Sequence, residues 1–274
     1  MDSFDTRQVK HQDAKALASG YSKSIRMLEL ASIAAFAVVV VWQGVRLWKP
    51  MFDNPWLMVA AFAAGYLFAD FVSGFVHWLA DTWGRTDMPV LGKAFLRPFR
   101  EHHVDQKAIT KHDFVETNGN NCLICVPAGI GALFVPLESP VFFFLMAWLL
   151  WSMLWVLGTN QFHKWSHTDE PPPVVAFLQR WHLILPPEHH KIHHTAPYAT
   201  HYCITTGWLN RPLAAIGFYR GLEWFGTTVF GAIPRADDIG VKAALALQEA
   251  QAAALAAETA AVEEKAAAIG LPKL

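Results

Sequence analysis

Histidines in short, regularly spaced groups are the most informative residues of this chain. Twelve of the thirteen histidines lie between residues 77 and 201, separated by long apolar runs. His163 and His167 are four apart, a spacing that puts both imidazoles on one face of a helix. Residues 189–194 (HHKIHH) carry four imidazoles within six residues, which would repel one another when protonated and have no ordinary packing role. Neutral imidazole is the commonest metal ligand among side chains, so these groups predict a metal site.

Two further groups come from the first half of the chain. His77 and Asp81 repeat the four-residue spacing, and His102 and His103 are adjacent in an Arg-Glu-His-His segment. Eight to ten candidate ligands are too many for one tetrahedral zinc ion, and the chain has no His-Glu-x-x-His motif. Imidazoles with a few carboxylates suit iron, and two irons would use this number of ligands. The groups contain no cysteine, which argues against an iron–sulfur cluster.

The apolar runs that separate these groups are long enough to cross a membrane. The chain has 274 residues, 53% of them hydrophobic and only 16% charged, whereas soluble domains carry about 25% charged residues. A hydrocarbon core about 30 Å thick needs roughly 20 apolar residues. We therefore predict an all-α polytopic membrane protein with about four transmembrane helices, at about 27–48, 56–79, 122–137 and 141–159. The histidine-rich segments, residues 77–121 and 160–210, are predicted to form a helical cap beside the bilayer.

The basic residues predict the orientation in the membrane. They concentrate in a leader, residues 1–25, and in the loop after the second apolar run, whereas the outer turns contain only Lys49. By the positive-inside rule, the N-terminus, both histidine-rich segments and the C-terminus are expected in the cytoplasm. The leader lacks an apolar core, so we expect no cleaved signal peptide. Residues 26–240 form the predicted membrane domain, and residues 241–274 an Ala- and Glu-rich tail. A net charge of −1 gives no reason to expect nucleic acid.

Five motifs carry a family resemblance. They are residues 76–84 (VHWLADTWG), 92–103 (GKAFLRPFREHH), 112–119 (HDFVETNG), 160–167 (NQFHKWSH) and 203–210 (CITTGWLN). Together they resemble the Kua family of plasmanylethanolamine desaturases, which includes bacterial light-response members and is related to the wider di-iron membrane desaturases and hydroxylases. The resemblance covers about residues 56–240 and leaves out the leader and the tail.

The resemblance implies a reaction and a set of ligands. Such an enzyme uses dioxygen and two electrons at a di-iron centre to convert the alkyl ether chain of a plasmanyl phospholipid into the vinyl ether of a plasmalogen. The expected iron ligands are His77, His102, His103, His163, His167, His190, His193 and His194. Further ligands, or groups that orient them, are Asp81, His112, His182, His189, Glu101 and Glu116. His11 and His201 are predicted not to bind metal.

The sequence also suggests which residues contact the substrate and which kind of protein supplies electrons. Asp70, in the second apolar run, is expected either to line the substrate cavity or to make an interhelical hydrogen bond. Arg97, Arg100 and Lys107 are candidates for holding the lipid phosphate. The sequence has no dinucleotide fingerprint, so we expect a separate electron donor, a b-type cytochrome or a ferredoxin with its reductase. The expected location is a bacterial inner membrane.

Three alternatives remain open from the sequence. A related enzyme could desaturate or hydroxylate acyl chains instead of ether chains. A haem-binding membrane cytochrome would use two histidines as axial ligands, and a metal transporter would need ionisable residues through the bilayer centre. Cys122 and Cys125 have a redox or metal spacing but open an apolar run, which favours simple packing.

Overall fold

A computed structural model describes residues 15–84, 86–89, 91–195 and 198–232, together with Pro234 and Ala257. Residues 1–14 of the predicted leader and nearly all of the predicted tail lie outside the described residues. The described chain contains helices and no strands, which confirms the all-α prediction. The helices are α1 (Lys23–Trp48), α2 (Pro50–Asp53), α3 (Pro55–Thr82), α4 (Arg97–Val104), α5 (Ala108–Lys111), α6 (Phe114–Ala132), α7 (Pro140–Ser166), α8 (Pro173–Arg180), α9 (Pro187–His193), α10 (Asn210–Ala215) and α11 (Phe218–Phe230).

Three of the described helices, α1, α3 and α7, are long and apolar enough to cross a membrane. Their starts follow from local chemistry. The Ser22 hydroxyl accepts a hydrogen bond from the Ile25 N–H, and Ser139 does the same for Phe142, which caps α1 and α7. Proline stands in the first turn of α3 and α7, where its missing N–H costs nothing. α3 and α7 continue past the predicted ends of their apolar runs, so Asp81 and His163 lie on helix, as does His77 within the predicted run.

The predicted span at 122–137 falls largely on α6, which covers Phe114–Ala132. α6 begins eight residues earlier, because the Asp113 carboxyl accepts hydrogen bonds from the N–H groups of Val115 and Glu116, each at 3.0 Å. It ends at Ala132, and Pro127 lies inside it. The first half of α6 is polar and includes the buried Asn118. α6 is therefore not among the three helices of the described chain that are apolar enough to be candidate spans.

The long helices pack closely as a bundle, with α3 against α7, α1 against α6 and α6 against α7. Gly119 on α6 permits one close approach, because a Cβ there would collide with the side chain of Glu29 on α1. Cys122 and Cys125 are buried in the same seam, against Phe36 and Val39, as the packing interpretation predicted.

The chemistry lies at one end of this bundle. The carboxyl ends of α3 and α7 and the amino ends of α1 and α6 meet there. Arg26 on α1 forms an ion pair of 2.7 Å with Asp113 at this end. The short helices α4, α5 and α9 pack over the ends of α3 and α7. The bundle thereby brings histidines from four helices to one level.

Candidate metal centre

Five imidazoles meet where α4, α7 and α9 converge, and we call them the five-histidine group. One nitrogen of each lies within 4.8 Å of one nitrogen of every other: His102, His163, His167, His190 and His194. Four of the Nε2 atoms are closer still. His163 lies 2.8 Å from His190 and 3.0 Å from His102, and His194 lies 2.9 Å from each of these two. The four atoms thus face a common point.

A second set, the Asp81 group, consists of His77, Asp81, His103 and His193. The Asp81 Oδ2 atom lies 3.2 Å from His103 Nε2, 3.3 Å from His77 Nε2 and 3.5 Å from His193 Nε2. His77 and His193 are fully buried. The two groups are neighbours because two pairs of adjacent histidines, His102-His103 and His193-His194, are divided between them. One member of each pair lies in each group. The side chains of adjacent residues on a helix point about 100° apart, so the two imidazoles of such a pair can reach two different groups.

Burial keeps the imidazoles of the cap neutral. It lowers the pKa of His102, His190, His193 and His194 well below the usual value, and repulsion from neighbouring imidazoles lowers the pKa further. Burial likewise lowers the pKa of His167 to about 4. The neutral imidazole is the form that binds metal, so these side chains are ready as ligands at pH 7.

Buried polar atoms without partners show that these residues fit a bound cation. In the described part of the chain, the Nε2 atom of His77 and both carboxyl oxygens of Asp81 are buried without a hydrogen-bond partner. Leaving such groups unpaired is costly, and a metal ion held among them satisfies them all. The two groups together form a candidate metal centre.

Backbone carbonyls orient two of these imidazoles. The Nδ1 atom of His77 lies 3.1 Å from the carbonyl oxygen of Tyr202, and Nδ1 of His193 lies 2.9 Å from that of Thr200. An N–H at Nδ1 leaves the lone pair on Nε2, which faces Asp81. These two acceptors cannot be identified from the sequence, because every residue has a backbone carbonyl.

The predicted carboxylates Glu101 and Glu116 lie together with His112 outside the two histidine groups. The buried Arg97 guanidinium lies between them, 2.5 Å from Glu101 and 3.2 Å from Glu116. His112 Nε2 lies 3.6 Å from Glu116 and 3.9 Å from Glu101. Arg97 is thus paired within the protein, instead of being free for a phosphate as the sequence suggested.

Other predicted site residues also make internal contacts. The Asp70 carboxyl group, fully buried, accepts hydrogen bonds from the N–H groups of Thr206, Gly207 and Leu209 at 2.7–3.0 Å. Asp70 thus joins its helix to the loop that precedes α10, and not to a second helix. Arg100 donates to the carbonyls of Asp81 and Trp83.

Lys107, the third predicted phosphate contact, donates to the carbonyl of His167 and pairs with Asp169. Two more of the possible ligands, in addition to Glu101, Glu116 and His112, lie outside both histidine groups. His182 is exposed and His189 contacts Asn210 and His201. His201 is likewise outside both groups, where the sequence predicted it.

A cavity in the bundle adjoins the candidate metal centre. His102 and His163 form part of its wall, and His112 and Glu116 lie on the side of the cap. Its apolar lining includes Val72, Val76, Phe95, Phe99, Ile124 and Val156. Val156 precedes His163 by two helical turns, so the cavity extends about 10 Å into the bundle from the histidines. These apolar residues were not recognised from the sequence, because they match the general pattern of a membrane helix.

Comparison with known proteins finds one family and several relatives. The lipid desaturase domain family matches residues 66–237. The chain is 57% identical over 241 residues to the plasmanylethanolamine desaturase of Myxococcus xanthus, covering 88% of this chain and 86% of the relative. It is 47% identical over 246 residues to plasmanylethanolamine desaturase 1 of Mus musculus, covering 84% of this chain and 88% of that protein. Fatty acid desaturase 4-like 1 of Arabidopsis thaliana is 32% identical over 65% of this chain and 60% of its own length. No solved structure matches the chain.

Proposed function

Since the chain belongs to the lipid desaturase family, we propose that it is an oxidoreductase that converts a plasmanylethanolamine into a plasmalogen. Two hydrogens leave adjacent carbons of the alkyl ether chain, and a vinyl-ether double bond forms. Dioxygen, two electrons and two protons are consumed, and two water molecules are released. The substrate is inferred from the printed names of the relatives from Myxococcus xanthus and mouse.

The observation that carries this proposal is the spacing of the Nε2 atoms in the five-histidine group. At a metal–nitrogen bond of about 2.0–2.1 Å, ligands at right angles lie about 2.9 Å apart and tetrahedral ligands about 3.3 Å apart. The spacing of 2.8–3.0 Å between neighbouring Nε2 atoms of His102, His163, His190 and His194 is therefore short enough for one ion to bind all four. Iron accepts such a nitrogen-rich set.

We assign two irons to the two groups. The five-histidine group would hold one through neutral nitrogens, and His77, Asp81, His103 and His193 would hold the other with one carboxylate. When bound, iron supplies the dioxygen-dependent oxidation of an unactivated C–H bond, which no side chain achieves alone. Glu101, His112 and Glu116 form a third group of possible ligands. We assign no iron to this group, because the Arg97 guanidinium pairs with both of its carboxylates. His182 and His189 lie outside all three groups.

The cavity is the proposed binding site of the alkyl chain. Its walls at Val72, Ile124 and Val156 are apolar and exclude water, whereas His112 and Glu116 give the side toward the cap a polar lining. A lipid whose tail lies along the apolar walls presents a bond near its polar head to His102 and His163. The oxidised bond of a plasmanyl lipid lies next to the ether oxygen, close to the head group, so the cavity suits this substrate.

We further propose that the metal centre faces the cytoplasm of a bacterial inner membrane. The support is the excess of lysine and arginine in the segments that adjoin the histidines. Electrons would come from a separate protein, a b-type cytochrome or a ferredoxin with its reductase, that docks on the cap.

Desaturation of an acyl chain is the second candidate, supported by the plant relatives with fatty acid desaturase names. A haem cytochrome is disfavoured by geometry, because two axial nitrogens lie about 4 Å apart on opposite sides of the iron, with a porphyrin between them. The Nε2 atoms of the five-histidine group leave no room for that ring. A transporter is disfavoured because Asp70 is occupied by the loop N–H groups.

Expression in cells that lack vinyl ethers, followed by lipid mass spectrometry, tests the reaction. We expect ethanolamine plasmalogens to appear, and about two irons per chain in the purified protein. A new acyl double bond without any vinyl ether would favour the second candidate instead. A Soret absorption band in the purified protein would overturn the non-haem assignment.

A further inference from the structure

We infer that Arg220 and Glu223, on α11, are positioning residues for one half of the metal centre. They act through the loop of residues 198–203, which we call the clamp loop, and they control binding at the Asp81 group without touching the metal. The inference rests on the proposed two-metal centre. The histidine motifs of the sequence include neither residue.

The clamp loop is the structural link between α11 and the ligands. Its carbonyls at Thr200 and Tyr202 receive the Nδ1 hydrogens of His193 and His77. A hydrogen bond of this kind fixes both the tautomer and the ring direction of a metal-binding imidazole. Two of the four members of the Asp81 group therefore depend on the path of this one loop.

Arg220 holds the clamp loop from the side of α11. Its Nη2 atom donates to the Ala199 carbonyl at 2.9 Å and to the Tyr202 hydroxyl at 3.4 Å. The guanidinium thus spans the loop, with one contact before Thr200 and one after it. Tyr202 is fully buried, so the hydroxyl is a fixed point.

Glu223 ties the same guanidinium to α3. Its carboxylate pairs with Arg220, and it accepts a hydrogen bond of 2.9 Å from the Trp78 indole. Trp78 follows His77 directly and is 3% exposed. The pair of Arg220 and Glu223 therefore fixes the clamp loop relative to the helix that carries His77.

The backbone of the clamp loop needs such support. Tyr198 and His201 have φ values of 62° and 61°, in the left-handed region that residues other than glycine rarely adopt. A conformation of this kind persists when the surrounding structure holds it in place. Without Arg220, fewer contacts hold the clamp loop in the conformation that directs its two carbonyls at His77 and His193.

The effect is confined to one group. In the described part of the chain, the buried Nδ1 atoms of His102, His190 and His194 have no hydrogen-bond partner. The five-histidine group therefore does not depend on the clamp loop for the direction of these rings. Loss of Arg220 should weaken one metal position and leave the other intact. Mutation of such outer partners typically costs about 10–100-fold in metal affinity.

Metal retention by the full-length protein tests the inference. Iron per chain is measured in detergent after dialysis against increasing chelator, for wild type and Arg220→Gln. We expect wild type to keep about two irons at chelator concentrations where the variant keeps about one. Glu223→Gln should shift retention in the same direction, and Arg220→Lys should restore it in part, because lysine still donates to the Ala199 carbonyl. Arg211→Gln, an exposed arginine on α10, is the matched control and should behave as wild type.

The outcomes separate the inference from the proposed function. Two irons retained equally by wild type and Arg220→Gln would overturn the inference alone. Simultaneous loss of both irons in every Arg220 and Glu223 variant would also overturn it, since the effect would then be general unfolding. Fewer than two irons in wild type would overturn the proposed centre and the inference with it.

Discussion

The Asp81 Oδ2 atom lies 3.2 Å from the Nε2 atom of His103, which makes this carboxyl group a direct neighbour of a predicted metal ligand. The two residues come from different helices, α3 and α4. Their contact places a carboxylate in one half of the candidate centre, whereas the five-histidine group has none. From the sequence, Asp81 was expected either to bind metal or to orient a metal ligand. The position of its carboxyl group favours the first role.

Asp81→Asn tests the role of this carboxylate. The amide keeps the volume but loses the charge and one acceptor, so we expect one iron to be lost first and activity to fall at least about 100-fold. Iron per chain and vinyl-ether formation are the measurements. Asp53→Asn, at an exposed position on α2, should change neither. Full iron content in Asp81→Asn would remove the residue from the ligand set.

His194 and His201 offer a direct comparison of a grouped and an ungrouped histidine. His194→Ala removes an Nε2 that lies 2.9 Å from both His102 and His190, so iron content and activity should collapse. His201→Asn is the control, because asparagine tolerates the left-handed φ of 61° at that position. It should retain both irons and most activity. Equal activity in the two variants would refute the assignment of ligands.

The cavity predicts a steric effect on the substrate. Val156→Trp adds a large ring to its apolar wall, so we expect activity on a long alkyl chain to fall about tenfold or more while iron content stays unchanged. Val141→Trp places the same ring on the same helix at a position that is 66% exposed, and should have little effect. If Val156→Trp turns over the lipid normally, the chain binds elsewhere.

Asp70 is predicted to act on stability and not on substrate binding. Asp70→Ala leaves the N–H groups of Thr206, Gly207 and Leu209 buried without their acceptor. An unsatisfied buried group costs about 1–3 kcal/mol, so the total loss should reach about 3 kcal/mol or more. Thermal unfolding in detergent measures it, with the exposed Asp169→Ala as control. Unchanged stability together with a raised KM for lipid would restore the substrate-binding role.

The sequence by itself determined which residues take part. All eight histidines predicted as ligands lie in the two groups, because the spacing of four residues and the adjacent pairs are local features that a helix converts directly into direction. Long apolar runs likewise predicted α1, α3 and α7, because the length and composition of a segment decide whether it can cross a membrane.

The tertiary structure decided how those residues are divided. The separation of His102 from His103 and of His193 from His194 into two groups depends on the angles between α4, α9 and the long helices, which no local pattern specifies. The early start of α6 depends on an Asp113 cap that is indistinguishable in sequence from a loop aspartate. The clamp loop acts through backbone carbonyls, whose direction follows from the fold and not from side-chain chemistry. Residue types are encoded locally, whereas the partners of each residue follow from how distant segments pack.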